Sequence, residues 1–350
     1  MKHITCGRLA ATVILGSALA LAGGGCGARK AELHLFTWAD YFKPDLIAQF
    51  EKSHGCKVVV DTFDSNEAML AKFKAGASGY DLVTPSSYAV EQMRQLGMLQ
   101  PIQHAAVPNL GNVDAVYLKS SPDPRMEHSV PYMLTYTGVA YRKDRVKDVA
   151  NSWSVFDRTD LKGRMTLFND MRETLGAGLK SLGYSINTVN RKELEAARDV
   201  VIRWKKNIAK FENEQYKTGV ASGEFLLVHS YSGDIVQVMG ENSNIVFMLP
   251  KEGFSMSCDD FVIPKNAKNV ALAHAFINFF HDADNAAANT EEIGYLCPNS
   301  ASFPKLSEKT RTNPAIFPPE EVRAKGEIIQ DVGTHLALYT EMWDGIKAAQ

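Results

Sequence analysis

Residues 33–97 read LHLFTWADYFKPDLIAQFEKSHGCKVVVDTFDSNEAMLAKFKAGASGYDLVTPSSYAVEQMRQLG. Three short apolar runs, at 33–36, 57–61 and 80–83, each lead into a segment that turns its apolar residues to one helical face. After the first, Pro44-Asp45 open a stretch in which Leu46, Ile47 and Phe50 share a face before Gly55. After the second, residues 66–75 carry Met69, Leu70 and Phe73 on one side. After the third, residues 90–96 close at Gly97. Strand then helix, repeated, predicts a doubly wound α/β layer. In such sheets ligands bind where strands end at their carboxyl side, and three loops begin there, at Thr37-Trp38, Phe63-Asp64 and Pro85-Ser86.

A second set of α/β signals follows a strand-like segment at 129–132. It comprises apolar runs at 138–141, 165–168, 225–228 and 245–248 and a helix over 192–204. Beyond Asp260, Phe261-Val262-Ile263-Pro264 precede a helix over 270–281 whose Leu272, Phe276, Phe279 and Phe280 read as core. About 320 mature residues exceed the usual size of one core and predict two lobes. No low-complexity linker separates the halves, so the chain is expected to cross between them on several strands. The expected crossings are Thr135-Tyr136, Ser257-Cys258 and Phe303-Pro304, which divide the chain into a lobe of 33–135 plus 258–303 and a lobe of 136–257 plus 304–350.

At the amino terminus, Lys2 and Arg8 flank an apolar run at 9–22 that ends in Gly23-Gly24-Gly25-Cys26. This is the layout of a secretory signal peptide over 1–25, since about 14 apolar residues fall short of the roughly 20 that span a bilayer. The small residues before Cys26 resemble the bacterial lipobox, although three glycines depart from its usual pattern. Acylation of Cys26, with 26–32 as a tether, is the expectation; plain secretion into the periplasm is the alternative. The net charge of −2, more negative once Lys2 and Arg8 are removed, disfavours nucleic acid. Cys56, Cys258 and Cys297 show no CxxC spacing, so neither a zinc site nor a disulfide framework is indicated. Cys56 reads as a small buried apolar residue, and a Cys258–Cys297 bridge remains open.

Candidate binding residues gather at the loop ends. Trp38, Asp40 and Tyr41 follow the first strand, and Ser86, Ser87 and Tyr88 follow the third. Asp170 and Glu173, three apart, share one face of a helical turn, while Tyr231 and Asp234 follow the run at 225–228. Asp259 and Asp260, neighbours in an extended segment, point to opposite faces, which argues against a shared catalytic proton. Each of these has an ordinary structural reading as well: Asp40, Ser86 or Ser87 as helix caps, Asp170 and Glu173 as surface acids. A flexible apolar chain with separated ammonium groups needs such acids at intervals with rings between them. Rings cover the methylenes and attract the cations by about 0.5 to 2 kcal/mol each, and every buried ammonium needs a paired carboxylate. No Gly-x-Ser-x-Gly elbow, phosphate loop or His-Glu-x-x-His points to an enzyme, and no His stands beside paired Tyr residues as in ferric sites.

Across the mature chain the order and wording of short motifs resemble the periplasmic spermidine- and putrescine-binding proteins of bacterial polyamine uptake. These motifs are Trp38-x-x-Tyr41, Ser65-Asn66-Glu67, Tyr80-Asp81-Leu82-Val83-x-Pro85-Ser86, Val130-Pro131-Tyr132, Asp170-x-Arg172-Glu173 and Leu182-Gly183-Tyr184-Ser185, then Pro250-Lys251-Glu252-Gly253, Asn266-Ala267-Lys268-Asn269, Ile293-Gly294-Tyr295 and Asp331-Val332-Gly333. The resemblance implies a two-lobed α/β periplasmic-binding-protein fold of type II, each lobe a sheet flanked by helices. It implies a monomer without cofactor, metal or catalysis that hands its ligand to the permease subunits of an ABC importer. It further implies that Trp38, Tyr41, Tyr88, Tyr231 and Tyr295 form an aromatic box, that Asp40, Asp170, Glu173 and Asp259 face the amines, and that Ser86 adds a hydroxyl. Tyr231 stands where the family usually has Trp. Ser257 replaces an aromatic, a loss that Phe254 or Met256 could make good. The family's Gln near Asp331-Val332-Gly333 aligns with Ile329, leaving Gln330 one step later as the candidate. Asp234 matches putrescine-type members. A different small cationic ligand, or a ligand-sensing surface lipoprotein, are the alternatives.

Overall fold

The alternation in residues 33–97 becomes β1 (Glu32–Thr37), α1 (Pro44–His54), β2 (Lys57–Thr62), α2 (Asn66–Lys74), β3 (Leu82–Val83) and α3 (Ser87–Gln95). The structure is a computed structural model that describes Met1 and residues 30–119 and 121–350. The rest of the expected leader, and Cys26, lie outside the described residues. Pro44 opens α1, and Gly55 closes it at φ 62°, returning its N–H to the Glu51 carbonyl. β1 pairs in parallel with β2 on one side and β3 on the other.

The chain continues through α4 (Ala115–Leu118), β4 (Ser129–Arg142), β5 (Met165–Leu167), α5 (Met171–Ser181), α6 (Arg191–Lys205), β6 (Lys210–Phe211), α7 (Gln215–Ser222), β7 (Leu227–Tyr231) and α8 (Ser232–Glu241). It ends with β8 (Ile245–Met248), β9 (Phe254–Val262), α9 (Val270–Phe280), α10 (Ala283–Ile293), α11 (Glu308–Arg311), α12 (Glu320–Arg323), β10 (Gly326–Ile328) and α13 (Leu336–Ala348). The strand order is β2-β1-β3-β9-β4-β7-β5-β6, with β10 on β9 and β8 on β4. The runs at 129–132 and 138–141 are one 14-residue strand, because Thr135, Tyr136 and Thr137 favour extended backbone and are paired. Its first half lies antiparallel to β9, from Ser129↔Val262 to Tyr136↔Met256. Its second half pairs with β7 and β8. β4 and β9 therefore run unbroken through the middle of the molecule.

Separate apolar cores lie on either side of that pair. One gathers Leu33, Leu35, Phe50, Tyr132, Phe261 and the α9 residues Phe276 and Phe280, with Leu272 and Phe279 packed against it. Another gathers Trp153, Phe156, Leu175, Trp204 and Tyr339. Residues 305–310 are fastened to α10: Lys305 pairs with Asp284 at 2.6 Å, and Glu291 accepts from the Ser307 N–H and the Thr310 hydroxyl, each at 2.6 Å. Cys56 is buried, and Cys258 and Cys297 are unbridged thiols. Leu134 of β4 pairs with Cys258 on one side and with Leu296 on the other. β4 thus stands between the two cysteine segments, about two strand spacings apart, beyond the usual disulfide reach of roughly 7 Å.

Candidate functional site

The parallel strands β1, β2 and β3 of one half, and β5, β6 and β7 of the other, end around a cavity of about 430 Å³, within the range of small-molecule sites. β4 and β9 supply its floor with Thr135, Ser257 and Asp259. Trp38, Asp40, Tyr41, Ser86, Tyr88, Asp170, Glu173, Tyr231, Asp234, Asp259 and Tyr295 all line it, although they are scattered over more than 250 residues of chain.

Asp259 is the most enclosed of the cavity-lining acids of the first half, 6% exposed. The Tyr41 hydroxyl donates to its Oδ2 and the Ser86 hydroxyl to its Oδ1, at 2.6 Å. Asn66 holds Ser86 in turn, donating from Nδ2 to the hydroxyl at 3.0 Å and accepting from the Ser86 N–H at 3.1 Å. Ser86 stands at the N-cap position of α3, yet its side chain makes no cap bond; its hydroxyl serves Asp259 instead. Burial pushes the Asp259 carboxyl up to about 6, against the pull of the Ser86 and Tyr41 hydroxyls. Asp260 projects to the opposite face, where it accepts from Ser87, as expected for adjacent strand residues.

On the second half Asp170 caps α5, its Oδ1 accepting from the Arg172 N–H at 2.9 Å and the Glu173 N–H at 3.0 Å. Glu173, 4% exposed, accepts from the Ser255 hydroxyl. Burial, then the nearby Asp170 charge, raises the Glu173 carboxyl well above the ordinary range. Arg172 shares the wall without pairing to these acids: its guanidinium donates to the carbonyl of Gln330 at 2.9 Å and to Asn187 Oδ1 at 2.9 Å. It also lies 5.9 Å from the Tyr88 ring centroid.

Asp234 accepts from two tyrosines, Tyr216 and, at 2.9 Å from the other half, Tyr295. Burial raises its carboxyl, opposed by the charge of Lys217. The intervening Gly233 is required by packing, because a Cβ built there would collide with the Tyr295 ring. Asp40, at φ 53°, caps no helix; its exposed carboxylate accepts from Lys217 Nζ at 2.7 Å across the cleft. Rings meet edge to face at Tyr41–Tyr295, 5.4 Å apart, and Tyr231 stacks on Phe168 at 4.2 Å. Trp38 Nε1 and Asn213 Oδ1 are buried with no hydrogen-bond partner among the described residues.

Two expectations need correction. The Gln330 side chain does not line the cavity. Gln330 is exposed and contributes only backbone to the wall region, while buried Ile329 takes the lining position. Nor do Phe254 or Met256 replace the ring absent at Ser257: Phe254 is buried in the second core, and Met256 lines a separate cavity on the other face of β9. Phe63, packed at 4.4 Å on Trp38, supplies a lining ring that sequence reasoning passed over. Asn213, Glu214 and Lys217 were also passed over, because β6, which delivers them, is only two residues long.

A mixed sheet crossed by two through-strands, with one cavity at the carboxyl ends of strands from both sides, defines a solute-binding protein. The chain belongs to the family of bacterial extracellular solute-binding proteins, whose model matches residues 45–318, and its architecture is the two-lobed periplasmic-binding-protein fold.

Among its relatives, a putrescine/cadaverine-binding protein of Pseudomonas aeruginosa is 34% identical over 97% of this chain and 98% of its own length. The spermidine/putrescine ABC transporter substrate-binding protein PotD of Streptococcus pneumoniae is 31% identical, with a TM-score of 0.78 over 91% of this chain and 99% of that one. The PotD lipoprotein of Treponema pallidum is 35% identical, with a TM-score of 0.81 over 90% and 99%.

Proposed function

We propose that this chain captures a polyamine of the putrescine and spermidine class outside the cytoplasm and delivers it to the permease of an ABC importer. The observation that carries the reading is the set of enclosed carboxylates brought to one cavity from both halves, Asp259 from one and Asp170, Glu173 and Asp234 from the other, with tyrosine rings between them. Aliphatic methylenes find walls in Trp38, Tyr41, Tyr88, Tyr231 and Tyr295, and ammonium groups find acceptors in the carboxylates and the Ser86 hydroxyl. Nothing in this set calls for bond-making chemistry, and the chain is read as a binder, not an enzyme. Titration calorimetry with putrescine, cadaverine, spermidine and spermine tests the proposal: a micromolar Kd, about −8 kcal/mol, is expected for at least one, and flat traces with all four would refute it.

Binding is coupled to closure of a lobe built on 33–135 plus 258–303 against a lobe built on 136–257 plus the carboxyl-terminal segment, hinged where Thr135 pairs with Ser257. The ties of residues 305–310 to α10 favour a third crossing later than Phe303-Pro304, ahead of α12. A radius of gyration that does not fall on ligand addition would count against closure. The mature protein is a monomer held at the membrane by acylated Cys26; Cys26→Ser is expected to release it from the membrane fraction.

A further inference from the structure

The cavity carries two cations of its own, Arg172 and Lys217, and they play different parts. Arg172 is 2% exposed; its Nη atoms donate to the carbonyls of Gln330 and Ile186 and to Asn187 Oδ1, while its buried Nε finds no hydrogen-bond partner among the described residues. It belongs to the wall. Lys217, from α7 just beyond β6, reaches across the cleft instead. Its Nζ lies 2.7 Å from Asp40 Oδ2 and 3.2 Å from Gln237 Oε1, and its side chain is only 18% exposed against 67% for Asp40. Gln237 passes the tie onward, donating to the Ile293 carbonyl at 2.7 Å.

A lysine head group is a primary ammonium on an aliphatic stem, chemically the end of a polyamine. At the Asp40 side of the cavity the chain therefore already holds what the ligand would bring. We propose that Lys217 is a specificity-determining residue, a tethered ammonium that fills the terminal cation position at Asp40 and so restricts the site to diamines over longer triamines. The proposal rests on the polyamine reading given above. Asp234 already accepts from Tyr216 and Tyr295 and lies under the Lys217 charge, which leaves Asp259 on one side and Asp170 with Glu173 on the other for the two ammonium groups of a diamine. A third ammonium directed toward Asp40 meets Lys217 as a like charge in a partly desolvated space, and like-charge juxtaposition is an effective way to reject a wrong ligand. The Lys217 charge also reaches Asp234, where it opposes the upward shift due to burial, so that its influence covers this whole end of the cavity.

The test is the ratio of Kd for spermidine to Kd for putrescine, measured by calorimetry on the full mature chain. Wild type is expected to favour putrescine. Lys217→Met, which keeps the stem and removes the charge, is expected to lower the ratio at least tenfold, and Lys217→Arg to leave it near the wild-type value. Adding Asp40→Asn to Lys217→Met should erase the gain in spermidine affinity, because the freed carboxylate is what the third ammonium would use. A ratio that stays put in Lys217→Met while both amines still bind overturns the proposal, as does a uniform loss of affinity for both, which would make Lys217 a cross-cleft latch only. Absence of heat with every amine in wild type would instead remove the polyamine reading itself, and this inference with it.

Discussion

The hydroxyl of Ser86 stands 2.6 Å from Oδ1 of Asp259, although 173 residues separate them. That contact joins the loop after β3 to the through-strand β9 and fixes the orientation of the acid on which the first half of the site depends. Asp259→Asn keeps the shape and removes the charge, leaving a ligand ammonium without its counter-ion. Polyamine affinity is expected to fall at least tenfold, equivalent to about 1.4 kcal/mol, and calorimetry that returns the wild-type Kd would take Asp259 out of the site.

The same carboxyl sets a pH dependence. Burial disfavours its charge and pushes the Asp259 carboxyl up to about 6, above the ordinary value of 3.8. The folded state thus holds the proton more tightly than the unfolded chain, so the group's contribution to stability is fully present below pH 3.8 and is lost as pH rises through about 6. A cationic ligand needs the ionised form and works in the opposite direction. Affinity is expected to rise about tenfold between pH 5 and pH 7 from this group alone; a Kd flat over that interval would contradict the assignment.

Glu173 carries the same sign further inside. Burial and the neighbouring Asp170 raise its carboxyl, so ionising it in the empty cavity costs stability as pH rises above the ordinary glutamate range. Glu173→Gln is expected to raise the unliganded melting temperature at pH 8 by about 2 °C or more, to leave it little changed at pH 5, and to weaken polyamine binding. A melting curve that drops at pH 8 would mean that the charge stabilises the empty protein after all.

Gly233→Ala probes the walls. The added methyl has no room against the Tyr295 ring, and that ring's hydroxyl anchors Asp234 at 2.9 Å. Overpacking of this kind typically costs about 1 to 3 kcal/mol, so a lower melting temperature and several-fold weaker ligand binding are expected together. Unchanged values for both would show that Tyr295 can move aside without consequence.

The sequence by itself determined the alternation of strands and helices in residues 33–97, because periodicity and end signals such as Pro44 and Gly55 act within a few residues. It also marked most of the acids and rings of the cavity, which sit where strands end. What sequence could not supply were facts that depend on distant partners. The unbroken course of β4 follows from its pairing with β9, β7 and β8. The separation of Cys258 from Cys297 follows from the strand between them. Ile329 lines the cavity in place of Gln330 because Arg172 and Asn187 hold the Gln330 backbone at the back of the wall. Lys217 entered the site only through the tertiary structure: β6 is too short to leave a periodic signal, and the ion pair with Asp40 spans 177 residues. Local patterning fixes which residues are extended or helical and which faces are apolar; charge pairing across a cleft is set by the packing of whole halves against one another.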